Sequence, residues 1–187
     1  MYNSKTAVMK KVLKIIGVII LLIVVFVLIA GLFVSKTYHL EKDITINAPR
    51  EKVWSHVSSL REMEKWNPWR EKDPNIKADF EGQDGTLGSV YNWSGNKDVG
   101  SGSQTITKLE KPDRVASHLN FIDHFEGEAD AFTRLVDAGN GTKVTWGFDT
   151  KYAYPMNTML LFIDMDGMMG KDYNNGLAKL KAICEAE

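Results

Sequence analysis

The twenty residues from Ile15 to Val34 carry no charge, and nearly all are Ile, Leu, Val, Phe, Ala or Gly. As a helix rising about 1.5 Å per residue, this run is about 30 Å long, the thickness of a bilayer's hydrocarbon core. The core helix of a soluble domain is normally shorter and amphipathic. A cleaved signal peptide has a shorter apolar region, about 7 to 15 residues, and a small-x-small cleavage site. Here Ala30 has Leu28 at the critical upstream position. The run therefore predicts an uncleaved transmembrane anchor.

Charge orients it. Lys5, Lys10, Lys11, Lys14 and the amino terminus precede the run, whereas Lys36 and Lys42 after it are offset by Glu41 and Asp43. The positive-inside bias predicts a cytoplasmic basic segment 1–14, a span 15–34, a linker 35–39 and an extracytoplasmic domain 40–187. The overall net charge of −1 hides this asymmetry: the five lysines up to Lys36 face no acid, which leaves 18 basic and 24 acidic side chains, net −6, on residues 37–187. A net acidic domain argues against nucleic acid as a partner, because phosphate contacts need clustered Lys and Arg. With 44% apolar residues the chain can build a core, and with Cys184 alone it cannot close an internal disulfide. That low cysteine usage fits exposure to an oxidising compartment. The sequons at Asn92 and Asn140 are read as a strand residue and a hairpin turn.

In the soluble part, Ile44 and Ile46 alternate with Asp43, Thr45 and Asn47, predicting a half-buried strand over 38–47. Ala48-Pro49 ends it and opens a short amphipathic helix from Arg50 to Leu60 on Val53, Trp54, Val57 and Leu60; a second follows to Trp66. Asn67-Pro68 stops that helix and leaves Trp66 and Trp69 flanking a turn. Glycine-punctuated segments then predict strands at 76–81, 89–94, 103–110, 114–122, 128–137 and 143–152, with turns at Lys111-Pro112-Asp113 and at Asn140-Gly141. A meandering antiparallel sheet with one core face accounts for them. Pro155 is expected to open a terminal helix whose stripe is Phe162, Met165, Met169, Tyr173, Leu177, Leu180 and Cys184, with loosening near Gly167 and Gly170.

Strand, two short helices, about six strands and a long last helix is the order of the helix-grip fold. The words Ile44-Thr-Ile-Asn-Ala-Pro-Arg-Glu-Lys-Val-Trp54, Trp66-Asn-Pro-Trp69, Gly88-Ser-Val-Tyr-Asn-Trp93 and Gly141-Thr-Lys-Val-Thr-Trp146 resemble the START-like (SRPBCC) superfamily, in its polyketide cyclase/dehydrase and lipid-transport branch. The resemblance covers about residues 40–185. It implies an α+β fold, a curved antiparallel sheet of about seven strands wrapped on the C-terminal helix, and a cavity between them for a lipophilic guest. Candidate cavity residues are Trp69, Tyr91, Trp93, Phe121, Phe132, Trp146, Phe162, Met165, Met169 and Tyr173, with Met168 beside them; Met adapts to irregular guests, although core packing is the stronger reading for any one of these residues. A membrane lipid or hydrophobic small molecule is the partner this implies, with the bilayer itself a partner through residues 15–34.

For chemistry the candidates are His118, Asp123, His124, Glu126, Glu128 and Asp130. His118 and His124 lack the tight ligand spacing of a zinc site, so no metal is expected. Strand alternation sets His118 with Ala116, Asn120 and Ile122, opposite Val115, Leu119 and Phe121, which predicts an outward, non-catalytic residue. No dinucleotide loop, phosphate cradle or nucleophile elbow occurs, so no cofactor and no catalytic residue is assigned. Cys184 on the apolar stripe is expected to be a buried, inert thiol. The resulting expectation is a membrane-anchored, non-catalytic binding domain. The alternatives are a polyketide cyclase-like enzyme, or an interaction or scaffold domain whose cavity is filled with side chains.

Overall fold

A computed structural model describes residues 2–123 and 126–186, with side chains from Val8 onward. The chain divides into two compact units, Met1–Lys36 with Tyr152–Ile163, and Thr37–Lys151 with Asp164–Glu187.

The first unit is built on one helix, α1 (Tyr2–Phe33). Its portion Val8–Phe33 is long and apolar enough to cross a membrane, and almost none of it is buried. A core helix of that composition would be covered, since exposing a continuous apolar cylinder to water is unfavourable. The rest of the unit is the segment Tyr152–Ile163, which holds a 3-10 helix, Met156–Leu161. Pro155 was expected to open the terminal helix. Instead Tyr154, Asn157 and Thr158 turn to the carbonyls of α1, and the terminal helix starts only at Met165.

The second unit carries β1 (Thr37–Ile46), α2 (Arg50–Val57), α3 (Leu60–Trp66), α4 (Trp69–Lys72), β2 (Lys77–Glu81), β3 (Val90–Ser94), β4 (Ser101–Glu110), β5 (Arg114–Phe121), β6 (Gly127–Ala138), β7 (Gly141–Lys151) and α5 (Met165–Ala186). All seven strands lie in one antiparallel sheet, ordered β1-β7-β6-β5-β4-β3-β2. Strands β2 to β7 form the expected meander and β1 closes against β7. The β6–β7 turn takes its positive φ at Gly139 (63°) rather than at Gly141, which already pairs with Ala138. Ser59 caps α3 by accepting from the Glu62 amide at 3.0 Å, and Asn67 accepts from the Trp69 amide at 2.9 Å to start the one-turn α4.

The inner face of the sheet packs on α2, α3 and α5 through Leu40, Ile46, Val144, Trp146 and Phe148 against Val53, Val57, Trp66, Tyr173, Leu177, Leu180 and Cys184. Helix α5 runs unbroken through Gly167 and Gly170. A Cβ on Gly176 would stand 2.8 Å from the Trp146 ring and 3.2 Å from Pro68, so glycine here is what lets the helix close on the sheet.

Candidate functional site

The inner face carries two aromatic groups. Trp69 on α4, Trp146 on β7 and Tyr173 on α5 meet edge-on or stacked, with Trp146–Tyr173 at 4.0 Å and Trp69–Tyr173 at 6.1 Å; Trp66 closes on Trp146 at 5.0 Å. On the other half of the sheet, Phe80, Tyr91, Trp93 and Phe121 form a ladder at 5.2, 5.9 and 5.7 Å. Burial pushes the Tyr91 and Tyr173 phenols above the usual tyrosine range, and the nearby Glu64 carboxylate further opposes ionisation of Tyr91. Seven of the ten sequence candidates lie in or against the core clusters between sheet and helices: Trp69, Tyr91, Trp93, Phe121, Trp146, Met169 and Tyr173. Met165 is half-buried in the first turn of α5, and Met168 beside it points to solvent.

Two candidates lie elsewhere. Phe132 faces the opposite side of the sheet, where the His39 ring stacks on it at 6.0 Å and the Arg134 and Arg114 guanidinium groups stand 5.0 and 5.8 Å from its centre. It is buried by that cover, not by the core. Phe162 precedes α5 and belongs to the first unit, where it meets Phe26 at 6.5 Å and stays 72% exposed.

The space behind the sheet is occupied by the two core clusters. A gap of about 10 Å³ remains between α2, α3 and the inner face, beside Met63, Gln104, Ser117 and Trp146, and it admits one water at most. Gln104 Nε2 donates to Ser117 Oγ across it at 2.8 Å.

A larger space opens at one end of the sheet, a cleft of about 710 Å³ where β5 ends, β6 begins and β7 ends. Its apolar lining is Phe121, Ile122 and Ala129; its polar rim is Thr37, His118, Asn120, Glu126, Glu128, Asp130, Asp149, Thr150 and Lys151. That size lies within the roughly 300 to 1,000 Å³ usual for small-molecule sites. Of the ten aromatic and methionine candidates only Phe121 reaches it. The signal that could have found the cleft is Ile122, a large apolar residue at an outward strand-end position beside Asn120.

His118 faces outward, as the alternation predicts, with Nδ1 2.9 Å from Asp130 Oδ1 and Nε2 4.0 Å from Glu128 Oε2. Across the same outer face, His39 Nδ1 stands 2.8 Å from Asp149 Oδ1. Asp123 accepts a hydrogen bond from Ser101 Oγ. His124 lies outside the described residues. Among the described residues no group of three or more His, Cys, Asp or Glu side chains is arranged to hold a metal. Cys184 is fully buried among the core side chains of α5.

The sheet wrapped on α5 and the sequence profile over residues 37–185 agree on one assignment: that stretch matches the family described as polyketide cyclase / dehydrase and lipid transport. The chain belongs to this family. Its helix-grip architecture recurs in solved structures at low identity. A protein from Chromobacterium violaceum is 15% identical, with a TM-score of 0.56, over 80% of this chain and 97% of that one. The ginseng major latex-like protein 151 from Panax ginseng is 18% identical, with a TM-score of 0.58, over 80% and 99%. The Aha1 dimer from Colwellia psychrerythraea is 18% identical, with a TM-score of 0.55, over 79% and 96%. At such identities the likeness shows the fold alone. Comparison with curated protein sequences finds no match. The polyketide cyclase / dehydrase and lipid transport family supports a hydrophobic ligand as the kind of guest.

Proposed function

We propose that the chain is a membrane-anchored, non-catalytic binding domain that takes a hydrophobic small molecule or lipid in the cleft at the β5–β6–β7 end of its sheet. The observation that carries this is the cleft itself: about 710 Å³, with Phe121, Ile122 and Ala129 as its apolar lining, Ile122 the exposed one, among polar side chains. Apolar surface such as the exposed Ile122 side chain contributes transfer free energy to a lipophilic guest, and the polar side chains around it receive a headgroup. Residues 15–34 tether the domain, the four lysines before them hold the first fourteen residues in the cytoplasm, and the domain from about residue 40 stands outside it. A tether raises the local concentration of membrane-derived guests. The non-catalytic reading is supported by His118, whose outward ring is paired with Asp130 at the rim rather than set against the apolar lining.

The nearly closed interior favours a second reading, a scaffold domain without a guest. Mass spectrometry of what co-purifies with the full chain, together with titration of an environment-sensitive apolar dye, separates the two. Binding is expected, and Ile122→Asn should weaken it about tenfold by removing roughly 1–2 kcal/mol of apolar contact. Binding that ignores Ile122→Asn would move the guest out of the cleft, and no binding at all would leave the scaffold. Protease added outside spheroplasts should remove the domain after Thr37; protection would reverse the orientation.

A further inference from the structure

The segment that joins β7 to α5 runs from Tyr152 to Ile163 without one charged residue, between Lys151 and Asp164. It does not stand free. It forms one compact unit with α1 and is tied to the last turns of that helix. Asn157 Nδ2 donates to the Gly31 and Val34 carbonyls at 2.8 and 2.9 Å, Thr158 Oγ1 to the Val27 carbonyl at 3.1 Å, and Tyr154 Oη to the Leu28 carbonyl at 3.0 Å. A Cβ on Gly31 would stand 2.9 Å from Thr158 Oγ1 and 3.1 Å from the Tyr154 ring, so the segment seats directly on the helix backbone. Packing a small residue against a polar side chain is how elements associate inside a bilayer.

The last four carbonyls of a helix lack an intrahelical partner, and in hydrocarbon no water supplies one. Asn157, fully buried, supplies one to the Gly31 carbonyl and another to the Val34 carbonyl just past the helix. The segment also satisfies its own amides: Asn157 donates to Ala153, Thr158 to Pro155, and Phe162 and Ile163 to Met159. Its apolar residues are largely uncovered, with Met156 at 56%, Leu161 at 54% and Phe162, beside Phe26 of α1, at 72% exposure. Lys36 lies over the Tyr154 ring at 6.0 Å, the pairing of an aromatic and a basic residue found at membrane–water interfaces.

We propose that residues 152–163 are a second membrane element, an interfacial segment that lies in the leaflet where the C-terminal end of α1 emerges, with Met156, Leu161 and Phe162 among the phospholipid acyl chains. This rests on reading α1 as a membrane span. The occupant is a bilayer because the exposed apolar patch continues that of α1 and hangs from its carbonyls at 27–34, within about 10 Å of the end of the span at 1.5 Å per residue. Elements of this kind sit about 5–10 Å into the headgroup and acyl boundary.

The test is depth-dependent quenching on the full chain, in a Cys184→Ala parent, reconstituted into phosphatidylcholine–phosphatidylglycerol vesicles. A polarity-sensitive fluorophore is attached at Phe162→Cys, at Leu161→Cys as a second position, at Ile23→Cys in mid-span and at Leu87→Cys on the β2–β3 loop. At Phe162 and Leu161 we expect a blue-shifted emission, quenched more by a nitroxide near the headgroup end of the lipid chain than by one near its methyl end. Ile23 should show the reverse preference and Leu87 neither. Quenching at Ile23 with Phe162 and Leu161 as unquenched as Leu87 would overturn the interfacial segment and leave the anchor standing. Loss of quenching at Ile23 would overturn the anchor and the segment with it.

Discussion

Replacing Trp146 by Ala asks whether the interior of this domain is filled or collapsible. Trp146 is 5% exposed and walled by Trp66, Trp69 and Tyr173, with Gly176 closed on its edge. A buried Trp removes about 200 Å² from water, worth about 5 kcal/mol at 25 cal/mol per Å², and alanine keeps only a small part of that. The stacked contact with Tyr173 at 4.0 Å adds about 1 kcal/mol. Collapse of the walls would return some of it, but these are large rings set on a sheet and a helix that Gly176 already holds close. The expected loss is therefore about 4 kcal/mol, inside the range of about 3–5 for Trp→Ala in well-packed cores. Urea unfolding of the full chain in detergent, followed by far-ultraviolet circular dichroism, measures it; the micelle-embedded helix contributes a constant background. The cavity left should be dry and should bind small apolar molecules that the parent does not. A loss below about 2 kcal/mol with no new apolar binding would refute the filled interior, because it would mean that the space around Trp146 adjusts as a guest cavity does.

Gly176→Ala should cost about 1 kcal/mol net in the same assay. Crowding the Trp146 ring costs about 1–3 kcal/mol, and the gain in helix propensity returns about 1; a stabilised variant would contradict the close approach. Glu185 accepts from the Asn47 amide at 2.7 Å and from Lys181 at 3.0 Å, and these bonds hold its carboxyl below the usual carboxylate range. A depressed folded value gives stability that is present above the unfolded value near 4.3 and lost as pH falls through the folded one. Glu185→Gln should therefore flatten the acid limb of stability against pH and leave neutral-pH behaviour of other acids unchanged; an unaltered acid limb would remove this carboxylate from the account. His118→Ala should change stability by less than about 0.5 kcal/mol, since an exposed His–Asp pair is worth little, and a larger loss would give the outer face a structural role.

Much of the fold is legible because its signals are local. Val53, Trp54 and Val57 repeat at helical spacing, Ile44 and Ile46 at strand spacing, and the structure buries those faces. Where the reading slips, two signals compete. Phe132 looks like core by its type, yet it shares strand parity with Asp130 and Arg134, and parity decides: β6 turns all three outward, and His39 and two arginines then cover the ring. Phe162 fits the stripe of α5 by spacing alone. The uncharged stretch from Tyr152 was the better guide, because Asn157 and Thr158 have partners on α1 that a continuous helix from Pro155 would not reach.

The proposed cleft was harder to read than the fold, for a reason that lies in its construction. Thr37, Asn120, Ile122, Ala129 and Thr150 are gathered from four strand ends, so no period runs through them. The aromatic residues that composition draws attention to do something else. Trp66, Trp146 and Tyr173 occupy the volume between sheet and α5, and Gly176 lets the helix approach closely enough to keep it closed. A guest enters that volume only by displacing rings whose burial is worth several kcal/mol each. At the cleft it displaces water from Ile122, which is 57% exposed, and no packed ring has to move. The difference in displacement cost favours the strand ends over the helix face as the place where a lipophilic guest binds.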